Sequence, residues 1–182
     1  GKMSEAIDQG GTDPPLLEET IGANLEATVA RHGDCEAFVV PHQTIRQTWR
    51  EFNATVDQVA KGLMAAGIET GDRIGMWSPN YAEWTYVQYA TAKIGAIQVN
   101  VNPAYRTSEL EYALNQSGCR MLFARTEYLT SKYKEMVESV RPNLSHLERA
   151  VYFDTPDWAE LIAQGREISD AELAGRGRSL VN

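Results

Sequence analysis

Apolar residues along this chain recur at two spacings, and the two alternate. Trp49, Phe52, Val56, Val59 and Leu63 fall at steps of three and four, which predicts a helix with one buried face. Thr48 stands before it and Glu51 three residues later. That is the signature of a capping box, in which each side chain takes a free backbone N–H of the first turn; Gly67 closes the helix. Trp84, Val87, Thr91 and Ile94 predict a second helix, with Asn80 as its cap, Glu83 as the cap's partner and Gly95 as its stop. Leu110 and Leu114 mark a third, behind a Ser108/Glu111 box and ending at Gly118. Leu129, Tyr133, Met136 and Val140 mark a fourth, capped by Thr126 and followed by Pro142. An opening helix is expected over 20–31, on Leu25 and Val29, and a short closing one on Trp158, Leu161 and Ile162.

Between these helices lie short runs of a different period. Residues 37–40 and 44–47 read as a hairpin around Pro41. Residues 73–77, 97–101, 121–123 and 150–153 read as strands. Ile97, Val99 and Val101 alternate with Gln98, Asn100 and Asn102. Met121-Leu122-Phe123 is continuously apolar, as in a strand covered on both faces. Helix and strand in alternation predict an α/β fold, a largely parallel twisted sheet with helices on both faces. The expected organisation is a mobile lead-in over 1–18, an α/β body over 19–164, and a polar linker over 165–182 around Gly175-Arg176-Gly177-Arg178.

Composition narrows the function classes. The chain has 182 residues, 43% of them apolar, and a net charge of −8, with no basic stripe to meet nucleic-acid phosphates. No window approaches the roughly 20 apolar residues of a membrane span, and no signal peptide is visible, so a cytoplasmic protein is expected; peripheral membrane association and a homodimer are both compatible with this. Cys35 and Cys119 read as two unpaired, buried or half-buried thiols. His32, His42 and His146 have no metal-like spacing, and no metal site is expected.

The candidate chemistry is sparse. Neither GxxxxGK[ST] nor GxGxxG occurs, and no nucleophile stands beside a base, so no catalytic, cofactor-binding or metal-binding residue is assigned. Ligands of parallel sheets sit beyond the carboxyl ends of the strands. The loops there are Ser78-Pro79-Asn80, Asn102-Pro103-Ala104-Tyr105-Arg106 and Arg125-Thr126. Asn80 and Thr126 are accounted for as caps, and Asn102-Pro103 as a turn. Tyr105 and Arg106 have no such account. Arg106 either holds its loop to a neighbouring element, the simpler reading, or meets a carboxylate or phosphate. Asn80, Asn102, Tyr105 and Arg106 are therefore the loop candidates. Tyr86 and Tyr89 fall off the inner stripe of their helix, and one or both are expected to face a partner surface.

In order and spacing, Ala60-x-x-Leu63-x-x-x-Gly67-Ile68, Gly71-Asp72-Arg73, Asn80-x-x-Glu83-Trp84, Ala92-x-x-Gly95-Ala96, Val99-Asn100-Val101-Asn102-Pro103 and Ser117-Gly118-Cys119 resemble the N-terminal region of the adenylate-forming (AMP-binding) enzymes. The loop Asn102–Arg106 looks like that of the fatty acid–CoA ligases. The resemblance implies a reaction with ATP and Mg²⁺ that converts a fatty or other carboxylic acid to acyl-AMP, followed by transfer to CoA. It also implies that the phosphate loop and catalytic Lys lie outside this stretch, leaving it inactive alone. Two alternatives stand beside it: a free-standing α/β binding module on the same scaffold, and a fatty acyl-AMP ligase.

Overall fold

The computed structural model describes residues 14–181, with side chains from Ile21 onward. In chain order the elements are α1 (Pro14–His32), β1 (Glu36–Val40), β2 (Ile45–Thr48), α2 (Trp49–Ala65), β3 (Arg73–Trp77), α3 (Ala82–Ile94) and β4 (Ile97–Asn100). Then follow α4 (Thr107–Ser117), β5 (Met121–Ala124), α5 (Tyr133–Val140), β6 (Arg149–Tyr152), α6 (Pro156–Gln164) and α7 (Asp170–Ser179). Strands β3 to β6 form one wholly parallel sheet in the order β4-β3-β5-β6. Strands β1 and β2 form a separate antiparallel hairpin, joined by a 3₁₀ turn over Pro41–Gln43.

The pleat of the sheet divides the core in two. Ile74 and Met76 of β3 and Met121 and Phe123 of β5 point to one side, where they meet α2, α3, α6 and the hairpin. Trp77, Leu122 and Ala124 point to the other, against α4 and α5. Every residue of β5 is buried, as its apolar run requires. Gly75 faces the α4 side because a Cβ there would stand 3.0 Å from Leu122 Cδ1 and 3.3 Å from Leu114 Cδ2. The chain runs from β3 outward to β4, then crosses back over β3 to β5. This reversal places α3 and α4 on opposite faces, as right-handed crossovers demand.

Several elements differ from their sequence-based expectation. The first helix begins at Pro14, inside the expected lead-in; the rest of the lead-in, residues 1–13, lies outside the described residues. The stretch expected to be a polar linker contains α7, started by a Ser169/Glu172 capping box. Leu173 is buried, Asp170 pairs with Lys61, and Arg176 Nη1 donates to the carbonyls of Ile68 at 3.2 Å and Ile94 at 3.4 Å. Tyr86 is only 6% exposed and its hydroxyl donates to Gln47 Oε1 at 2.7 Å. It and Tyr89 pack on Phe52; Tyr86 closes the core, and Tyr89 is half-buried at its edge. Burial pushes the Tyr86 hydroxyl pKa up to about 12. Cys119 is buried as expected, and burial raises its pKa; Cys35 is exposed.

Candidate functional site

The reversal of chain direction between β3 and β5 is a topological switch point, the place where open parallel sheets leave a crevice beyond the strand ends. Four loops border the carboxyl edge here. The one after β3 carries Ser78 to Tyr81, that after β4 carries Asn102 to Arg106, that after β5 begins at Arg125, and that after β6 carries Asp154.

Asn80 is exposed and does not cap α3. The helix starts at Ala82, and its first free N–H is taken from outside: Ala82 N–H donates to Gln43 Oε1 at 2.8 Å, while Gln43 Nε2 donates to Glu83 at 3.1 Å. An amide from the hairpin turn thus fills the helix N-terminus, a position that otherwise attracts anions. Asn102 is a turn residue, as expected: its Oδ1 accepts from Ala104 N–H at 2.9 Å. Its carbonyl also accepts the Trp77 indole N–H at 2.9 Å, which ties the loop to the sheet. Tyr105 is half-buried against the α4/α5 core. Arg106 is exposed and occupies the N-cap of α4, where its backbone N–H donates to Glu109 Oε2 at 2.9 Å. The expected Ser108/Glu111 box therefore lies two residues too late, and Glu111 accepts from Asn143 instead. Asn102, Tyr105 and Arg106 share the β4 loop; Asn80 stands apart in the β3 loop.

The loop after β5 holds the least expected geometry. Thr126 does not cap a helix. Its N–H and hydroxyl both donate to the Asp154 carboxylate, and α5 begins seven residues later. Tyr128 and Ser131 exchange backbone hydrogen bonds of 3.0 and 2.9 Å, closing a turn with Leu129 at φ 54° and 82% exposed. A left-handed residue at that point is incompatible with a helix from 126. Burial raises the Asp154 pKa, but the two bonds from Thr126, with Arg125 nearby, outweigh it and hold the carboxyl below its ordinary value. Arg125 lies over the Tyr81 ring, 4.3 Å from ring centre to guanidinium carbon, and Nη2 is 3.9 Å from Asp154. Tyr81 in turn meets His42 and Tyr128 edge-on, with ring centres 5.5 and 6.4 Å away.

Sequence reasoning placed Arg125 in an edge loop without choosing it as a candidate, and passed over Gln43, Tyr81 and Asp154. A cation directly after a wholly buried strand was the one available signal, and it pointed to Arg125. A groove of about 580 Å³ runs between α1, α3 and α7. Its buried charge, Lys93, is already bonded to Glu26, Asn53 and to Asp57 at 2.7 Å, which leaves little for a ligand there. Among the described residues no group of His, Cys, Asp or Glu could hold a metal ion, and no helix is long and apolar enough to cross a membrane.

The model of the family described as "AMP-binding enzyme" matches residues 25–176. The chain is 43% identical over 136 residues to the mouse medium-chain acyl-CoA ligase ACSF2, a mitochondrial protein, covering 75% of this chain and 22% of that one. The human protein of the same name is 39% identical over 140 residues, covering 77% and 23%. The crystal structure of the N-terminal domain of FACL13 from Mycobacterium tuberculosis superposes with a TM-score of 0.70 at 25% identity, covering 79% of this chain and 36% of that one. The chain thus spans under a quarter of the length of the ACSF2 relatives. The family match over most of the sequence establishes that the chain belongs to the AMP-binding enzymes, and the superposition on the FACL13 domain shows that the two share a fold.

Proposed function

We propose that this chain is the N-terminal scaffold of an ATP-dependent fatty acid–CoA ligase and has no catalytic activity alone. In the longer protein a carboxylate attacks the α-phosphate of ATP to give acyl-AMP and pyrophosphate, and CoA thiol then displaces AMP to give the thioester. The observation that carries this reading is the 43% identity over 136 residues to a ligase named for medium-chain acids; a medium-chain substrate is the specificity it favours. The chain's own residues fit neither ATP nor Mg²⁺. It has no glycine-rich phosphate loop, and its described acidic groups form no ion cage, so no residue here is assigned to ATP, Mg²⁺ or CoA. Asn102, Tyr105 and Arg106 contribute the loop after β4 to the acyl-site surroundings, with Asn80 in the separate loop after β3; the scaffold unit is the expected body over 19–164 together with α7. A cytoplasmic location and a homodimer remain part of the proposal, although the mouse relative is named mitochondrial.

The test is ATP–pyrophosphate exchange with octanoate, run in parallel on the 182-residue chain and on the longer protein that contains it. Exchange by the longer protein alone supports the reading. Octanoate-dependent exchange by the 182-residue chain refutes the scaffold role. Exchange without thioester formation by the longer protein favours an acyl-AMP ligase.

A further inference from the structure

The carboxyl edge at the β3/β5 switch point carries a cation that the fold orients but pairs only loosely. Arg125 leaves the end of β5, where Phe153 N–H donates to the neighbouring Ala124 carbonyl at 2.9 Å and fixes the backbone. Its guanidinium plane is covered on one side by Tyr81. Its Nε–H is buried and has no hydrogen-bond partner among the described residues. The neighbouring carboxylate, Asp154, is 3.9 Å away, beyond hydrogen-bond reach, and is engaged by Thr126. Two other cations of this fold are well bonded. Lys93 has three oxygen partners, and Arg120 bridges Asp72, Glu148 and the Gly67 carbonyl. A buried donor left without an acceptor costs free energy unless something supplies one.

The other anion receptor of such an edge, the N-terminus of α3, is filled by Gln43. Of these two receptors, Arg125 is the one left for a negative group at this edge. Arginine's planar fork suits two oxygens of one carboxylate or phosphate, and an aromatic platform keeps that fork in one plane. We infer that Arg125 is an anion-binding residue, taking a carboxylate or phosphate group of a ligand that enters beyond the carboxyl ends of β3 and β5, with Tyr81 as its platform. The inference rests on this edge and is independent of the ligase reading.

The experiment follows the Arg125 Nε–H resonance of the ¹⁵N-labelled 182-residue chain by NMR. Sodium phosphate, sodium octanoate and sodium chloride are titrated at matched ionic strength. A saturable shift with phosphate or octanoate and none with chloride is the expected result, and whichever of the two acts identifies the source of the anion. Arg125→Lys should weaken the apparent affinity at least fivefold, because an ammonium cannot offer the paired donors. Tyr81→Leu should weaken it by a similar factor with the circular dichroism spectrum unchanged. Arg46→Gln, exposed on β2 and paired with Glu36, should leave it unaltered. The absence of a saturable shift with either anion, an equal shift with chloride, or an equal loss in Arg46→Gln would overturn the inference. None of these failures touches the ligase reading, which pyrophosphate exchange tests separately.

Discussion

Replacing Gly62 with Ala tests the packing that closes one face of the sheet. Gly62 lies in α2 where that helix crosses the end of α6. A Cβ added there would stand 2.6 Å from the Leu161 carbonyl oxygen, and one added to Gly165 would stand 2.5 Å from Gly62 N. Both obstacles are backbone atoms, so no rotamer change relieves them. Two effects of opposite sign compete. Helix propensity favours Ala over Gly by about 1 kcal/mol. Overpacking a dense core costs about 1–3 kcal/mol, and a rigid obstacle selects the upper part of that range. The net expectation for Gly62→Ala is a loss of about 1–2 kcal/mol. Gly175→Ala in α7 is the internal control. The nearest atom to its added Cβ is Arg178 Nη2 at 3.6 Å, the end of a flexible side chain. Propensity is then unopposed, and a gain of about 0.5–1 kcal/mol is expected. Urea unfolding followed by tryptophan fluorescence reads both, as midpoint shifts at equal slope. A Gly62→Ala chain as stable as the parent would refute the close approach of α2 and α6.

Gln43→Ala should expose the Ala82 N–H and cost about 1 kcal/mol, the usual value of a helix cap; hydrogen exchange at the Ala82 amide should accelerate while that at Val87 changes little. Lys93 is 7% exposed at its side chain, against 31% for Asp57 and 61% for Glu26. Lys93→Ala should therefore cost roughly 2–3 kcal/mol in urea unfolding, between the values of exposed and fully buried pairs. Asp154 has a folded pKa below its unfolded value. It contributes stability that is present above the unfolded pKa and lost as pH falls through the folded one. Between neutrality and about pH 3, spanning the ordinary Asp value, the stability of Asp154→Asn should depend less on pH than that of the parent, as read by thermal unfolding at a series of pH values.

The parts of the fold legible in sequence were those whose causes are local. The α2 capping box occupies four consecutive residues, Thr48 to Glu51, and both of its hydrogen bonds form, at 3.2 and 2.9 Å. The stops at Gly95 and Gly118 rest on one residue each, and both adopt positive φ, 76° and 68°. The buried run of β5 announces a central strand without reference to anything else. Helix α7 was legible by the same rule as α2, since Ser169 and Glu172 form the same box. It was hidden by its composition, because Gly175 and Gly177 read as linker residues. What offsets them comes from elsewhere: the burial of Leu173 and the bonds of Arg176 to carbonyls 108 and 82 residues back in the chain. Tertiary contact overrides weak propensity here.

The contacts at the carboxyl edge failed to show in the sequence for the opposite reason, and that failure bears on how the edge works. Each residue that defines it acts through a partner distant in the chain. Gln43 reaches Ala82 across 39 positions, and Thr126 reaches Asp154 across 28. Asn80 and Thr126, the residues that local rules chose as caps, lost that role to these longer connections. When Gln43 rather than Asn80 caps α3, the helix N-terminus is closed by a side chain from a different subregion, and an anion meets Arg125 instead of backbone N–H groups. When Asp154 takes Thr126, the loop after β5 cannot continue as helix, and Tyr128 is left edge-on to Tyr81 beside the guanidinium. The two substitutions of cap for contact thus produce one result. They remove the generic anion site of a parallel α/β sheet and put a single, oriented arginine in its place. If Gln43→Ala reopened that generic site, phosphate would perturb the amides of Ala82 and Glu83 even in the Arg125→Lys background. Silence at those amides would mean that Gln43 is a cap and nothing more.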